Sequence, residues 1–180
     1  MTISIHMILG PVCSGKSTYI RRNFSPEKDV IVRVGNFLRE SIGLGAMRSD
    51  PSPNVCNVTE TWVRLHVRGA LATANALNRD IVFDGYPRSP AQVDFLKEVL
   101  ESSLVLGDVK IVLHQISIGR DVLEDRIRNR SGRNPDEVQF DLLRLQSSID
   151  GVENVCDRVM SVMSNVTVKV VKGIIDASAN

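Results

Sequence analysis

Residues 10–17 read GPVCSGKS, which fits the pattern G-x-x-x-x-G-K-[ST] at every fixed position. The apolar run Ile3–Leu9 stands directly before this stretch, and a predicted helix, Gly15–Asn23, begins at its second glycine. A strand, a glycine-containing turn and a helix in this order gather backbone N–H groups and a helix N-terminus around one point, which suits a bound phosphate. The alternative is a tight turn with a solvated lysine, and the complete motif in this context favours phosphate binding.

Four further segments are predicted to be buried strands because they are continuous runs rich in Ile and Val. They are Val30–Val34, Ile81–Asp84, Val109–Ile118 and Val166–Val171. Between them lie stretches long enough for crossover helices, namely Thr59–Asn78, Pro90–Ser102 and Arg120–Arg130. The alternation predicts a three-layer α/β fold, in which a five-stranded parallel sheet carries helices on both faces. Such sheets bind ligands at the carboxyl ends of their strands, which is where the motifs of this chain lie.

The composition limits the classes of protein to which the chain could belong. Its 180 residues suit one domain with a single core, and a formal net charge of +1 argues against a general nucleic-acid binder. Three widely spaced cysteines offer neither a disulfide framework nor the spacing of a metal site. No run approaches the roughly 18 apolar residues of a membrane-spanning helix. We therefore expect a soluble, cytoplasmic protein that uses neither nucleic acid nor a membrane.

Two irregular stretches interrupt the pattern of strands and helices. Gly43–Val58 contains clustered glycine and proline and predicts a flexible connection within an inserted subdomain. Ser131–Pro135 lies between two helical stretches. Both could be hinged covers over a site or plain surface loops, and composition alone favours plain loops.

Arginine dominates the cations, with 16 of the 22 positive residues, and six of these arginines lie between residues 120 and 144. The planar guanidinium group suits phosphate oxygens better than an ammonium group does. Arg126 and Arg130 are four residues apart, so they would share one face of a helix and could embrace one polyphosphate. The alternative is a solvated face with local ion pairs to Glu124 and Asp125.

A second motif follows the third predicted strand. Residues 84–88 read DGYPR and Gln92 follows four residues later, which resembles the D-G-[FY]-P-R-x-x-x-Q signature of the adenylate kinase family, within the nucleoside monophosphate kinases. Residues 34–39, VGNFLR, look like the family's T-G-D-x-L-R segment. The family's lid arginines have counterparts at Arg126, Arg130, Arg133 and Arg144. The resemblance extends from the phosphate loop almost to the C-terminus.

The resemblance implies one kinase domain with three parts. A core would comprise residues 1–35, 67–126 and 139–180, an insertion at about 36–66 would bind the monophosphate, and a short lid would occupy about 127–138. The implied reaction moves the γ-phosphate of ATP to a nucleoside monophosphate, with AMP as the preferred acceptor, and gives two ADP. Mg²⁺ is the implied cofactor, and a monomer is expected.

The motifs and the resemblance together assign the site residues. The ATP site would use Gly10, Cys13, Ser14, Gly15, Lys16, Ser17, Thr18, Arg126 and Arg130. The monophosphate site would use Gly35, Arg39, Gly85, Arg88, Gln92, Arg133 and Arg144. The charges that promote transfer would come from Lys16, Arg88, Arg126, Arg133 and Arg144. Mg²⁺ would be held by Ser17 and, through a coordinated water, by Asp84.

This reaction needs no general base, because a phosphate monoester is already ionised near neutral pH. We therefore give no catalytic role to the three histidines, His6, His66 and His114, which lie in apolar patterns. The amide of Gln92 can donate and accept at once, as the adenine edge requires, whereas pyrimidine kinases of the family usually have Asn there. An amide can also flip, so Gln92 alone does not exclude guanine.

The chain departs from the family pattern at several positions. Asn36 replaces the usual Asp, Val34 replaces the usual Thr, and only two residues separate Arg130 from Arg133 in the lid. These departures keep two alternatives open. One is a kinase for UMP, CMP or another small acceptor, and the other is a nucleotide-binding regulator of the same fold without turnover.

Overall fold

A computed structural model of the chain describes residues 2–35, 37, 53–102, 109–130 and 134–172, with only the backbone described for 53–59. The five strands are β1 (Ile3–Leu9), β2 (Val30–Val32), β3 (Ile81–Asp84), β4 (Val109–Ser117) and β5 (Val166–Lys172). The helices within these ranges are α1 (Lys16–Asn23), α2 (Pro53–Leu77), α3 (Pro90–Glu101), α4 (Arg120–Arg128), α5 (Pro135–Leu143) and α6 (Leu145–Val162).

The strands form one parallel sheet in the order β2-β3-β1-β4-β5, which confirms the predicted five-stranded sheet. β1 is central: the chain runs from β1 to the edge strand β2, returns to β3 beside β1, and then crosses over β1 to β4 and β5. Ile8 near the end of β1 is in register with Asp84 at the end of β3. The phosphate loop and the DGYPR motif therefore begin side by side, at the edge where parallel sheets bind their ligands.

Helices cover both faces of the sheet, as predicted, because alternate strand residues point to opposite sides. The larger core lies between the sheet and helices α2, α3 and α6, and it includes Ile5, Met7, Phe83, Leu113, Val67, Leu96 and Val159. Helix α1 covers the other face, where Ile20 packs with Ile8, Val82 and Ile116. Both cores meet along β1, which carries the phosphate loop at its end.

A third, smaller cluster joins the phosphate loop to the C-terminal helices. Leu123 and Ile127 of α4 and Leu145 of α6 are buried together, and Val12 and Cys13 of the loop pack against them. This contact fixes the position of α4 relative to the loop.

Several predicted boundaries are wrong, most of them by one or two residues, including the end of α4 at Arg128 rather than Arg130. The structure explains two of the differences. β2 ends at Val32 rather than at Val34, because the chain turns into a helical segment in which the N–H of Phe37 donates to the carbonyl of Arg33 at 3.0 Å. Gly35 lies in this turn. Helix α2 begins at Pro53, inside the stretch predicted to be irregular. Proline needs no backbone N–H partner in the first turn of a helix, so Pro53 marks a helix start.

The 25-residue helix α2 is amphipathic and follows the edge of the core. It buries Val63, Val67 and Leu71, while Trp62 and Leu65 are largely exposed. Among the helices of the described ranges, none combines the length and the apolar character that a membrane span requires.

Candidate phosphotransfer site

The phosphate loop turns sharply at two left-handed residues, Cys13 with φ 58° and Gly15 with φ 89°. Gly15 is the N-cap of α1, and no side chain in the described part of the chain caps that end. The loop is tightly packed, since Ser14 is fully buried and a Cβ on Gly10 would lie 2.6 Å from its Oγ. The first N–H groups of α1 thus point into a concave turn that suits an anion.

The Lys16 side chain folds back into this loop. Its Nζ donates to the carbonyls of Gly10 and Pro11, both at 2.7 Å. The pKa of Lys16 is lowered to about 8, mainly by burial; the charge of Asp84 opposes this shift and the charge of Arg88 adds to it. The lysine predicted to bind phosphate therefore lies among the charged groups of both motifs.

Asp84 faces the start of α1. Its Oδ2 accepts a hydrogen bond from the Ser17 hydroxyl at 3.4 Å and lies 4.0 Å from Arg33 Nε. Mg²⁺ binds oxygen ligands and keeps several of its waters, so a hydroxyl and a carboxylate in contact fit the predicted cation. Within the described ranges, no group of three or more His, Cys, Asp or Glu could hold a metal, so phosphates and water would complete its shell.

Gly85 connects the two motifs physically. Its N–H donates to the carbonyl of Ile8 at 3.0 Å, and its own carbonyl accepts from Arg88 Nε at 2.8 Å. The φ of Gly85 is 67°, and a Cβ there would lie 3.6 Å from Arg88 Nη2 and 3.7 Å from Lys16 Cε. The guanidinium group and the lysine stem therefore both lie against this glycine, which suits a phosphate-transfer site that gathers cations from two motifs.

Gln92 lies beside Arg88 in the first turn of α3. Its Oε1 accepts from the Arg88 backbone N–H at 2.8 Å, and its Nε2 donates to Glu60 Oε2 at 2.9 Å. The other Glu60 oxygen accepts from Arg64 Nε at 3.1 Å. The predicted base-reading residue is thus held between the DGYPR turn and helix α2.

The arginines of α4, together with Arg130 just beyond its end, divide into two sets. Arg126 Nη1 donates to the carbonyl of Cys13 at 3.4 Å, and Arg130 Nη1 lies 3.8 Å from Cys13 Sγ, so both reach the phosphate loop. The carboxylate of Glu124 binds the other two, Arg120 at 2.9 Å and Arg128 at 3.2 Å. The solvated-face alternative therefore describes Arg120 and Arg128. The predicted pair, Arg126 and Arg130, does not share a helix face, because α4 ends at Arg128, but both side chains reach the same loop residue.

The remaining predicted residues stand apart from this cluster or outside the described chain. Thr18 accepts from Arg21 Nη2 at 3.3 Å on α1. Arg144 joins α5 to α6, and its guanidinium carbon lies 5.1 Å from the centroid of the Phe140 ring. Arg39 and Arg133, like Asn36, lie outside the described residues.

Three residues that contact the candidate site were not predicted from the sequence. Arg33 could have been found, because it follows β2 at the same sheet edge as Asp84. Glu60 could not, since its bond to Gln92 spans 32 residues and depends on how α2 packs near α3. The same holds for Ser148 of α6, whose Oγ accepts from the N–H of Val12 at 3.3 Å and tethers the phosphate loop.

Comparison with known proteins finds adenylate kinases of similar sequence, although no family model matches the chain. An adenylate kinase from Rhizorhabdus wittichii is 28% identical over 154 residues, which cover 83% of this chain and 70% of that protein. Adenylate kinases from Pyrococcus furiosus and Caulobacter vibrioides are 29% and 27% identical and cover 71% and 77% of the chain. The chain spans 56% of the length of the Pyrococcus protein and 74% of the Caulobacter protein.

Solved structures show the same fold at lower identity. A kinase candidate from Chloroflexus aurantiacus superposes with a TM-score of 0.60 at 10% identity, over 94% of this chain and 85% of that chain. A chain of the Pnkp1/Rnl/Hen1 RNA repair complex superposes with a TM-score of 0.52 at 18% identity, over 81% of this chain and 45% of that chain. The sheet, the phosphate loop and these relatives support a phosphotransferase that uses a phosphate loop. The chain is a distant relative of the adenylate kinases.

Proposed function

We propose that the protein transfers the γ-phosphate of ATP to a nucleoside monophosphate, with AMP as the preferred acceptor, and releases two ADP. The observation that carries this proposal is that Lys16 and Arg88 both lie against Gly85, with Asp84 beside them, at the carboxyl ends of β1 and β3. Lys16 belongs to the phosphate loop, which suits the phosphate donor ATP. Arg88 belongs to the DGYPR motif, which resembles the site of the phosphate acceptor. Two anions can meet only where their charges are offset from both sides.

The residues of the site would act mainly by binding and orientation. Lys16 would exchange the two loop carbonyls for phosphate oxygens of ATP, and Arg88 would hold the phosphate of the acceptor in line with it. Arg126 and Arg130, already at Cys13, would close over the polyphosphate. Mg²⁺, held by Ser17 and through water by Asp84, would neutralise charge on the transferred phosphate.

Several finer features belong to this proposal as well. The insertion at about 36–66 and the lid at about 127–138 would exclude water when both substrates are bound. Arg39, Arg133 and Arg144 would join the other cations in the closed state. We also expect the protein to act in the cytoplasm as a monomer.

A panel of monophosphates with ATP and Mg²⁺, assayed by ADP production, tests the reaction. AMP should be turned over fastest, and ATP alone should be hydrolysed slowly because a closed site excludes water. Turnover of UMP or CMP without AMP would favour the pyrimidine alternative. ATP binding in calorimetry without turnover of any acceptor would favour the regulatory alternative.

Arg88→Ala tests the acceptor site. We expect kcat/KM for AMP to fall at least about a hundredfold, while the Kd for ATP stays within about threefold, because one guanidinium on a transferring phosphate has effects of this size. Arg68→Ala is the matched control, since Arg68 is an exposed arginine of α2 that lies 3.9 Å from Glu98. An equal loss of ATP affinity in Arg88→Ala would contradict the assigned role.

A further inference from the structure

Glu60 reaches the candidate acceptor site from helix α2, and neither the phosphate-loop motif nor the DGYPR motif includes it. It is half-buried, and its two carboxylate oxygens bind different partners, Gln92 Nε2 at 2.9 Å and Arg64 Nε at 3.1 Å. Arg64 is itself placed over the ring of buried Phe95, 4.7 Å from the centroid. The carboxylate is therefore fixed on one side by a packed arginine and presents its other side to the amide of Gln92.

The two partners of Gln92 leave its amide only one direction. The backbone N–H of Arg88 can only donate, so the oxygen of the amide must face it, at 2.8 Å. The carboxylate of Glu60 accepts, so the NH₂ group must face α2. A flipped amide would set N–H against N–H and oxygen against oxygen at once. Because the Gln92 amide could flip, the sequence did not decide between adenine and guanine. In the structure, the Arg88 N–H and the Glu60 carboxylate both oppose that flip.

A fixed amide distinguishes two kinds of purine. Oε1 keeps one free lone pair and Nε2 keeps one hydrogen, so a base edge can still bind both atoms. A 6-aminopurine offers a donor at position 6 and an acceptor at N1, whereas a 6-oxopurine offers an acceptor at position 6 and a donor at N1. With the phosphate of the acceptor held at Arg88, the base enters in one orientation, so only one of these two polarities matches the amide.

We infer that Glu60 is a positioning residue, which fixes the direction of the Gln92 amide and thereby lets the acceptor site distinguish 6-amino from 6-oxo purine monophosphates. This inference rests on the proposed function, in which the groove beside Arg88 and Gln92 receives the monophosphate. The preference for AMP over IMP would then depend on Glu60 of α2, although the base need not contact Glu60.

The test compares kcat/KM for AMP and for IMP, which differ in polarity at these two positions and hardly in size. The wild-type protein should prefer AMP by at least about tenfold, since a site built to hydrogen-bond one edge rejects its inverse. Glu60→Ala should lower this ratio by about tenfold, mainly by improving the use of IMP, while the KM for ATP stays constant. Glu60→Gln keeps an acceptor oxygen but can itself flip, so its ratio should lie between the two. Glu98→Ala, which removes an exposed acid of α3, should leave the ratio unchanged.

The outcomes separate this inference from the proposed function. If Glu60→Ala folds and lowers the use of both nucleotides by the same factor, Glu60 has only a structural role and the inference fails, although the kinase proposal stands. A wild-type protein that uses AMP and IMP equally would also overturn it. If Glu60→Ala does not fold, an unchanged ratio in Glu60→Gln decides against it. A wild-type protein that phosphorylates no monophosphate overturns the proposed function and this inference together.

Discussion

Acid should destabilise this protein through a histidine pair buried beneath helix α1. His114 is 2% exposed, and its Nδ1 lies within hydrogen-bond distance of the Tyr19 hydroxyl, at 2.9 Å. Its Nε2 lies 2.9 Å from His6 Nδ1, and His6 Nε2 lies 3.7 Å from Asp80. Both rings are neutral in this arrangement, and a proton on His114 would have to enter a buried site that also faces Lys169.

The size of the effect follows from the pKa of His114. Burial, together with the charges of His6 and Lys169, lowers it from 6.5 to about 4. Below about pH 6.5 the unfolded chain takes up a proton that the folded protein refuses, so the free energy of unfolding falls as pH falls, until the folded protein is protonated as well. For this one group the loss is about 2 kcal/mol at pH 5 and about 3 kcal/mol at pH 4, a large share of the ordinary stability of a domain.

Urea unfolding followed by circular dichroism at pH 7.5, 6 and 5 measures this loss. His114→Gln removes the titrating group, so the variant should lose about 2 kcal/mol less than the wild type between pH 7.5 and pH 5. His66→Gln is the matched control, because His66 is only partly buried, where its ring stacks on Phe37 at 4.1 Å. Parallel stability curves for the wild type and His114→Gln would refute the reasoning.

Three further predictions concern the phosphate loop and its cover. The Kd for MgATP, measured by calorimetry, should stay constant up to the Lys16 pKa of about 8 and rise by up to about tenfold per pH unit above it, because bound phosphate requires the ammonium form; a flat profile to pH 9.5 would contradict this. Gly10→Ala puts a methyl group 2.6 Å from the buried hydroxyl of Ser14, so it should lower the free energy of unfolding by about 1–3 kcal/mol and weaken ATP binding. Gly69→Ala is the control: no described atom lies within 4 Å of the new methyl group, so it should stabilise α2 by about 0.5–1 kcal/mol. If packing in the loop were loose, thermal and urea unfolding would show the same change in the free energy of unfolding for Gly10→Ala as for Gly69→Ala. Arg126→Ala should lower kcat at least about a hundredfold and Arg128→Ala less than about threefold in steady-state assays, since only the first reaches the loop; similar losses would place both on a solvated face.

Sequence reasoning located the sheet well because its strands are buried on both faces. Continuous Ile and Val runs such as Ile81–Asp84 leave little choice of structure, and the complete phosphate motif fixes the turn that follows β1. The errors lie at boundaries, where one proline or one turn decides. Val34 continues an apolar run but joins a helical turn, and Pro53 lies in the stretch predicted to be a flexible connection although it suits a helix start.

The site could be predicted only as far as its residues stand close together in the chain. Asp84, Gly85 and Arg88 share one turn, so their common position followed directly from the motif. The bond between Glu60 and Gln92 and the pair of His6 with His114 join residues 32 and 108 positions apart. Such contacts depend on the register of strands and the packing of helices, which local patterns do not encode.

Gly85 has a consequence for how the molecule can move. Its peptide is bonded on one side to the strand that carries the donor loop and on the other to the arginine of the acceptor motif. The bond to Ile8 opposes sliding of β3 along β1, so Lys16 and Arg88 would keep their spacing when the sheet moves as one body. Any movement of the proposed insertion and lid would then leave unchanged the gap that the phosphoryl group has to cross.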